Sequence, residues 1–372
     1  MENLFVYGTL CHLPLLARVL GRLPEMAKAH LPDHAVFWAQ GHDFPIILGR
    51  SGAAAAGWLL SGLTPEDFAR LDYYEGPFGF HILETQVETA WGESLPARVY
   101  VADAGLWQPG NPWDLAEWQA RWGSVVEATA ADVMALYPQP IARARRYPML
   151  VRGASRLRAA AAAAVNTLRR PVASGDVTIM AQHQPYAKFF AVEEYDLIHR
   201  LFDGNQGSLI NRAVFVSGDA VTVLPYDARR DRVLLVEQFR AGPLARGDVQ
   251  PWQLEPIAGR IDPGETPEET AIREAHEEAG LTLTTLLPVA NYYPSPGAKT
   301  EFLYSFVALT DLPDDTAIVA GLESEGEDIK GHVISFERLM RLVHSGEAAT
   351  APLILTALWL ERERPRLRQS LA

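Results

Sequence analysis

Short apolar runs separated by turn-forming residues dominate the first hundred positions of this chain. Residues 4–7 form one such run, which ends at Gly8, and residues 97–102 alternate between small or polar and apolar side chains, as a half-buried strand does. Thr64 is placed to cap a short helix over residues 65–71. The pattern therefore predicts a strand-rich unit that contains one helix.

The spacing of apolar residues becomes helical beyond residue 112. Apolar side chains recur at steps of three and four over residues 113–136, and residues 154–168 form a basic, alanine-rich stretch. A charged helix of this kind is usually a solvated arm, although its arginines could also bind phosphate. We predict a helical connector.

A second strand-rich region follows Pro171. Apolar runs at residues 176–180, 220–224 and 232–236 predict strands, and turn-forming residues separate them. The final part of the chain returns to helical spacing, with Gly346 between two predicted helices. The pattern therefore predicts a second unit with both strands and helices, and the expected fold class is α/β throughout.

Length and composition favour two domains. At 372 residues the chain exceeds what one core usually organises, so we assign residues 1–110 and 173–372 to domains and residues 111–172 to the connector. Cys11 is the only cysteine, which excludes an intrachain disulfide and fits a reducing cytoplasm. The first residues lack the basic start of a signal peptide, and the apolar stretch at residues 52–63 is too short to span a bilayer. We expect a cytoplasmic protein without a membrane partner.

The formal net charge of −13 bears on the kind of ligand that this protein binds. A nucleic-acid backbone would be repelled unless a local basic patch overrode the overall charge. A small ligand rich in phosphate would need a metal ion for the same reason. We therefore expect no nucleic-acid partner.

One segment of the second domain has the signature of a helix with defined ends. Thr266 can cap its start, a proline suits position 267, and Glu269 completes a capping box. Gly280 is the residue type that a helix C-terminus prefers. The sequence therefore predicts a helix from residue 267 to residue 279.

Two arcs of this helix have opposite character. Steps of three and four residues place three carboxylates on one arc, those of Glu274, Glu277 and Glu278. Another arc is apolar and consists of Ile272, Ala275 and Ala279. Clustered carboxylates raise each other's pKa values, at a cost that a hard divalent cation such as magnesium removes. The alternative is a solvated helix face whose acids pair with Arg273.

The spacing of residues 259–281 resembles the Nudix box. That pattern is a glycine, a glutamate, Arg-Glu, Glu-Glu and a final glycine, and it is matched by Gly259, Glu265, Arg273, Glu274, Glu277, Glu278 and Gly280. Ala275 departs from it, because the pattern has a larger aliphatic residue there. The resemblance implies a Nudix α/β/α sandwich in which Glu274 and Glu278 hold magnesium, with manganese as an alternative. It also implies that Glu277 acts nearby and that Glu265 and Arg273 orient the loop and the helix.

Residues outside the box resemble the ADP-ribose pyrophosphatase branch of this family. A proline sixteen positions after Gly280 marks the branch, and Ala298 replaces the second glycine of its loop pattern. Asn211-Arg212 and the segments 235–240 and 255–259 also match. The resemblance implies that the substrate contacts come from Arg212, Arg240, Arg260, Ser295, Pro296, Gly297 and Glu301. It further implies that the carbonyl of Ala258 completes a metal shell.

An acidic run at residues 323–328 is by default a solvated loop. In the ADP-ribose branch a loop at this place activates water, and the resemblance implies that Glu325 is the base and Glu327 a further metal ligand. The implied reaction is hydrolysis of ADP-ribose to AMP and ribose 5-phosphate. GDP-mannose and other nucleoside diphosphate sugars are alternative substrates, and a sensor that binds ADP-ribose without turnover is an alternative function. The resemblance also implies a homodimer formed through this domain.

Two short motifs of the first domain resemble the gamma-glutamylcyclotransferase-like fold. The segment Tyr7-Gly8-Thr9-Leu10 is similar to its substrate-binding loop, and Glu75, within Tyr-Glu-Gly, is similar to its proton-transferring glutamate. Apolar neighbours would raise the pKa of Glu75. The resemblance implies a small barrel in which the amine of a gamma-glutamyl compound attacks its own side-chain carbonyl to form 5-oxoproline, without a cofactor. The alternative is a regulatory or oligomerising module.

Overall fold

A computed structural model gives the positions of residues 2–138, 146–163, 165–312, 314, 319–320 and 328–369. The chain divides into two compact units. The first unit runs through Ser174 and also takes in residues 186–189, and the second contains residues 175–185 and the chain from Phe190 onward. The segment that we predicted as a connector therefore belongs with the first unit.

The first unit is built on a barrel. In the part of this unit that is described, its strands are β1 (Glu2–Val6), β2 (Glu25–Ala39), β3 (Pro45–Leu63), β4 (Phe80–Thr89), β5 (Ser94–Ala102) and β6 (Pro109–Pro112). The strand order is β3-β1-β5-β4-β2-β6, and an additional pairing between β2 and β3 closes the first five strands. β1 runs parallel to β5 and antiparallel to β3. The predicted small barrel is confirmed.

The described part of the first unit also contains five α-helices, of which one follows β1, one follows β3 and three lie in the predicted connector. They are α1 (Leu13–Leu20), α2 (Pro65–Glu75), α3 (Leu115–Trp118), α4 (Ser124–Ala135) and α5 (Arg146–Ala161). Short turns of 3-10 helix cover Thr9–Cys11 and Gly76–Phe78, and a π-helical turn covers Gln119–Gly123. Trp118, Val126 and Leu150 are buried in one apolar core with barrel residues such as Leu4. The connector helices therefore stabilise the barrel by completing its core.

The second unit contains two sheets. Its described strands are β7 (Val177–Ala187), β8 (Ala191–His199), β9 (Ile210–Val216), β10 (Ala220–Asp227), β11 (Arg232–Phe239), β12 (Trp252–Glu255), β13 (Ile257–Arg260), β14 (Thr285–Tyr292), β15 (Leu303–Leu309), β16 (Val319–Ala320) and β17 (Ile329–Ser335). β7, β8 and β9 form a three-stranded sheet. The larger sheet has the order β14-β15-β10-β11-β17-β16, with β12 added to β11 and β13 added to β10. It is mixed, because β10 is parallel to β15 and antiparallel to β11.

Helices cover both faces of the larger sheet. They are α7 (Pro267–Ala279), α8 (Phe336–Ser345) and α9 (Ala351–Gln369), and a shorter helix, α6 (Ala241–Arg246), follows β11. Val221 and Val236 point to the core under α7, whereas Leu224 and Leu235 point to the core under α8 and α9. Alternate residues of the same strands thus fill two cores, and the predicted α/β/α sandwich is confirmed. Among the described residues, no helix is both long enough and apolar enough to cross a bilayer.

Candidate functional sites

The ends of α7 are where the sequence predicts them. The Oγ1 atom of Thr266 accepts a hydrogen bond from the N–H of Glu269 at 3.2 Å, and the Glu269 carboxylate accepts one from the N–H of Thr266 at 2.9 Å. This reciprocal pair is the predicted capping box. Gly280 ends the helix with a φ of 64°, in the left-handed region that favours glycine. Both ends of α7 are therefore fixed, and with them the positions of its carboxylates.

Arg273 connects carboxylates of the preceding loop and of α7. Its Nε and Nη2 atoms donate to the two carboxylate oxygens of Glu265 at 3.0 and 3.1 Å. Its Nη1 atom donates to Glu274 and to Glu277, at 2.8 Å in each case, and Nη2 also reaches the carbonyl of Arg260 at 3.2 Å. One planar guanidinium thus ties the loop, strand β13 and helix α7 together.

Arg273 and Glu265 stabilise each other's charged forms. Burial raises the pKa of Glu265, but hydrogen bonds from Arg273 and Thr270 outweigh burial and hold that pKa below its usual value. Burial lowers the pKa of Arg273, and its pairing with Glu265 and Glu274 raises that pKa by more. The cation therefore offsets the repulsion between the carboxylates that surround it.

Gly259 leaves a space that the Glu274 carboxylate fills. A Cβ atom at position 259 would lie 1.8 Å from Oε1 of Glu274 and 1.9 Å from its Cδ. Atoms that are not bonded cannot approach so closely, so any side chain at position 259 would displace the carboxylate. Position 259 therefore requires a glycine, because a side chain there would occupy the space of Glu274, a predicted metal ligand.

The predicted magnesium ligands are all oxygen atoms. Glu274 and Glu278 lie one turn apart on α7, and Ala258 precedes Gly259 in β13. Glu278 is only 3% exposed, and a buried carboxylate is unfavourable unless a cation or hydrogen-bond donors compensate it. Carboxylate and carbonyl oxygens are the ligands that magnesium prefers, so these residues fit the ion. Within the described ranges, however, no three acidic, histidine or cysteine side chains converge as a preassembled metal cluster.

Two predicted residues of the acidic loop, Glu325 and Glu327, lie outside the described residues. Their roles as base and as metal ligand therefore stay predictions from the resemblance.

The amphipathic prediction for α7 is wrong at two positions. Ile272, which we assigned to the apolar arc, is 41% exposed, and Glu278, which we assigned to the projecting arc, is buried. The buried face of the helix consists of Thr270, Ala271, Ala275, Glu278 and Ala279. Because four of these five side chains are small, α7 can lie close to the sheet, and its rotation brings Glu278 inward. Ala275 is fully buried, so its departure from the family pattern concerns packing.

The three arginines predicted to contact substrate lie at strands β9, β11 and β13. Arg212 lies in β9 and donates to the neighbouring backbone carbonyl at 2.7 Å. Arg240 follows β11, and its Nε atom donates to Glu255 at 2.7 Å. Burial raises the pKa of Glu255, and the charge of Arg240 opposes that shift. Arg260 ends β13, and its guanidinium lies 4.8 Å from the ring centre of Phe190.

The loop at residues 295–301, which is predicted to contact substrate, is attached to β9. It contains the predicted contact residues Ser295, Pro296, Gly297 and Glu301. The N–H groups of Ala298 and Lys299 donate to the carbonyl of Ser295, which forms a turn. Phe215 of β9 donates its N–H to the carbonyl of Ala298 at 2.8 Å. Because Arg212 lies on the same strand as Phe215, the structure holds this loop and Arg212 on one element.

The two motifs of the first unit meet in one pocket. Residues 7–10 and Glu75 line it together with aromatic side chains, and it contains about 540 Å³ of unfilled space, its mouth included. The hydroxyl of Tyr7 donates to the carbonyl of Tyr100 at 2.9 Å. A Cβ atom at Gly8 would lie 2.5 Å from Cγ of Pro45, so the loop passes very close to the start of β3. The predicted loop, Tyr7, Gly8, Thr9 and Leu10, is thus brought together with Glu75.

The electrostatics of this pocket depend on one residue that the motifs do not include. Burial raises the pKa of Glu75 to about 7, and the positive charge of Arg146 opposes the shift. Arg146 lines the pocket from the start of α5. Sequence reasoning missed it, because its carboxylate partner, Asp43, is 103 positions away.

The raised pKa of Glu75 predicts how stability depends on pH. Above the unfolded-state value of 4.5 the unfolded chain loses this proton, whereas the folded chain keeps it up to about pH 7. The contribution of Glu75 to stability must therefore fall as pH rises through this window. We expect the Glu75→Gln variant to escape that loss and to gain on the order of 2 kcal/mol relative to wild type between pH 4.5 and pH 7. Urea unfolding at both pH values measures the difference, and parallel curves for the two proteins would contradict the assignment.

Comparisons with known proteins identify a domain in each unit. Residues 216–355 match the NUDIX domain family, and residues 4–120 match the family described as gamma-glutamyl cyclotransferase, AIG2-like. The two matches lie on opposite sides of the division between the units.

The second half of the chain is similar in sequence to several pyrophosphatases. The ADP-ribose pyrophosphatase of Escherichia coli strain K12 is 37% identical over 204 residues, which are 54% of this chain and 97% of that protein. The protein of the same name from Haemophilus influenzae is 34% identical, over 52% of this chain and 90% of its own length. A GDP-mannose pyrophosphatase of Salmonella choleraesuis is 31% identical, over 45% of this chain and 84% of its own length. A solved structure titled "Crystal structure of ADP compounds hydrolase" is 22% identical, with a TM-score of 0.40, over 52% of this chain and 98% of the other.

Proposed function

This chain belongs to the Nudix hydrolase family, and on that basis we propose that its second unit hydrolyses the diphosphate of ADP-ribose to AMP and ribose 5-phosphate with magnesium. The observation that carries the proposal is the space at Gly259, which the carboxylate of Glu274 fills beside the buried Glu278. ADP-ribose is preferred over GDP-mannose because the relatives named for it are more similar to this chain, at 37% and 34% against 31%.

The residues of the site have distinct roles in this proposal. When bound, magnesium would offset the charge of the diphosphate and orient the reacting groups. Glu274, Glu278 and the carbonyl of Ala258 would hold the ion, and Arg273 keeps Glu274 in position. Glu277, on the same arginine, would help to orient the attacking water.

The proposed substrate contacts come from the arginines and from the loop on β9. Arg212, Arg240 and Arg260 offer planar donors that can bind phosphate oxygens in pairs. Ser295, Pro296, Gly297 and Glu301 would contact ribose and phosphate. Glu325 would take the proton of the attacking water, and Glu327 would be a further ligand.

A substrate panel tests this proposal. Purified protein with magnesium is assayed against ADP-ribose, GDP-mannose, NADH and diadenosine polyphosphates, and products are identified by chromatography. We expect kcat/KM for ADP-ribose to exceed the other values by about tenfold or more, since recognition of polar substrate groups discriminates strongly. A preference for GDP-mannose would favour that alternative substrate. Binding of ADP-ribose without turnover would show a sensor.

We also propose that the second unit forms a homodimer through its three-stranded sheet. Large apolar side chains of this sheet and its adjoining loops are exposed in the single chain, namely Val177, Ile179, Met180, Phe202 and Leu209. Large apolar side chains that are exposed on one sheet and its adjoining loops are typical of an interface. We expect Ile179→Asp to reduce the mass in light scattering from twice that of the chain to that of the chain. Leu358→Asp, at a half-exposed leucine of α9, is the matched control and should leave the dimer intact.

A gamma-glutamylcyclotransferase activity of the first unit is favoured by the pocket that joins residues 7–10 to Glu75. In this reaction the substrate's α-amine nitrogen bonds to its γ-carbonyl carbon, and the bond from that carbon to the leaving amine breaks. Glu75 would accept the proton of the attacking amine and deliver it to the leaving amine. A carboxyl group with a pKa of about 7 suits both steps near neutral pH.

Release of 5-oxoproline from a panel of gamma-glutamyl compounds measures this activity. We expect the rate to rise with pH through about 7, where Glu75 ionises, and to fall about 100-fold or more in Glu75→Gln. If the wild-type protein releases no 5-oxoproline from any compound, the pocket belongs to a binding module.

A further inference from the structure

The pocket of the first unit contains a cation that neither of its motifs supplies. Arg146, the first residue of α5, lines the same pocket as Glu75 and residues 7–10. It lies outside residues 4–120, which match the cyclotransferase family. The residue therefore lies beyond the part of the chain that matches the family.

The Arg146 guanidinium is held in one orientation. Asp43 accepts hydrogen bonds from its Nη1 and Nη2 atoms at 2.8 and 2.7 Å. The indole N–H of Trp118 donates to the backbone carbonyl of Asp43 at 2.7 Å, which fixes the acid in turn. The guanidinium carbon also lies 4.8 Å from the ring centre of Phe78 and 5.9 Å from that of Phe44. A cation fixed in this way loses little further freedom when it binds a ligand.

The guanidinium retains donors for a ligand. Of the five N–H groups that an arginine carries, Asp43 uses one on each terminal nitrogen, and no acceptor among the described residues takes the other three. The side chain of Arg146 is 22% exposed, so a small molecule in the pocket can reach it. A carboxylate matches the planar fork of a guanidinium and can accept two of its hydrogen bonds.

We propose that Arg146 binds the α-carboxylate of an amino-acid ligand and thereby makes the pocket selective for gamma-glutamyl compounds with a free carboxylate. An amino-acid head carries an amine and a carboxylate on the same carbon. In the same pocket Glu75 can accept a hydrogen bond from the amine, and Arg146 can donate hydrogen bonds to the carboxylate. The inference deepens the cyclotransferase function proposed above, but selection of a carboxylate can be measured without turnover.

A purely structural ion pair is the competing explanation, in which Arg146 and Asp43 only attach α5 to the barrel. Removal of Arg146 alone would leave the carboxylate of Asp43, 11% exposed, without its cation and could unfold the unit. The informative variant is therefore the double substitution Arg146→Gln with Asp43→Asn, which replaces the charged pair by a neutral one. Arg146→Lys serves as the conservative variant, since it keeps the charge and loses the planar fork.

Binding of two small probes to the full-length protein tests the inference. The probes are 5-oxoproline and 2-pyrrolidone, which share one ring and differ by the carboxylate, and affinities are measured by calorimetry or ligand-observed NMR. We expect wild type to bind 5-oxoproline about tenfold or more tighter than 2-pyrrolidone, because a charge-assisted hydrogen bond stabilises the complex. The double variant should lose this preference while its melting temperature stays near that of wild type. Arg146→Lys should keep part of the preference.

Each outcome distinguishes this inference from the cyclotransferase proposal. The inference is overturned if the double variant keeps the wild-type preference, if wild type binds both probes equally, or if it binds neither. If no gamma-glutamyl compound yields 5-oxoproline but the preference depends on Arg146, the catalytic proposal fails and carboxylate selection stands. If Glu75→Gln abolishes turnover and keeps the preference, both stand.

Discussion

Replacement of Gly259 by alanine is expected to reduce the hydrolysis of ADP-ribose about 100-fold or more while the protein stays folded. The new Cβ atom would lie 1.8 Å from Oε1 of Glu274, a separation that forces one of the two groups to move. The Glu274 carboxylate will move, because it is the flexible end of a side chain and β13 is held in the sheet by β10. The loss should therefore fall on the position of a predicted metal ligand and leave the fold intact.

Steady-state kinetics with ADP-ribose and thermal unfolding of the same samples check this result. Gly242→Ala is the matched control, because a Cβ atom at position 242 would meet no atom within 4 Å. The control should hydrolyse ADP-ribose at the wild-type rate. Full activity in Gly259→Ala would show that Glu274 does not need its present position.

Replacement of Arg273 by methionine is expected to destabilise the second unit by about 2 kcal/mol and to make its stability depend more strongly on magnesium. Loss of one partner from a buried ion pair destabilises a protein by about 3 to 5 kcal/mol. The expected loss for Arg273 is smaller, because its side chain is 29% exposed. Without the cation, Glu265, Glu274 and Glu277 repel one another. A divalent cation that binds this face would offset the repulsion, so magnesium should stabilise the variant more than wild type.

Urea unfolding with and without magnesium measures both effects. Arg341→Met is the control, because Arg341 pairs with Glu337 at 2.6 Å on α8 with a side chain that is 62% exposed. An exposed pair of this kind contributes about 0.5 kcal/mol or less. Equal losses in the two variants, or the same magnesium effect in Arg273→Met and wild type, would contradict the role given to Arg273.

The limits of α7 could be predicted from sequence because they depend on local interactions. Thr266 and Glu269 are three residues apart, and the side chain of each accepts a hydrogen bond from the backbone N–H of the other. Gly280 ends the helix through its own backbone conformation. The face that packs on the sheet could not be predicted in the same way. Ile272 is more apolar than its neighbours, yet the small residues that fit against β10 and β13 set the rotation of the helix.

The start of α5 and the role of Arg146 were missed for two further physical reasons. Pro148 discourages a helix prediction, but burial of Met149, Leu150 and Val151 stabilises the helix there. The contact of Arg146 with Asp43 spans 103 positions, so only the tertiary fold brings the two together. By contrast, residues 7–10 and Glu75 could be assigned to one site, because the resemblance to a known fold carries long-range information that spacing alone lacks.

We propose above that the carboxylates of α7 hold magnesium for diphosphate hydrolysis. The most direct test of this proposal is the rate at which wild type and Glu278→Gln convert ADP-ribose to AMP and ribose 5-phosphate with magnesium. Glu268→Gln, at an exposed acid in the first turn of the same helix, is the control. We predict a loss of roughly 1,000-fold in Glu278→Gln, since a metal ion contributes several kcal/mol to such a reaction, and no change in Glu268→Gln. Equal rates of product formation in Glu278→Gln and wild type would contradict the metal assignment.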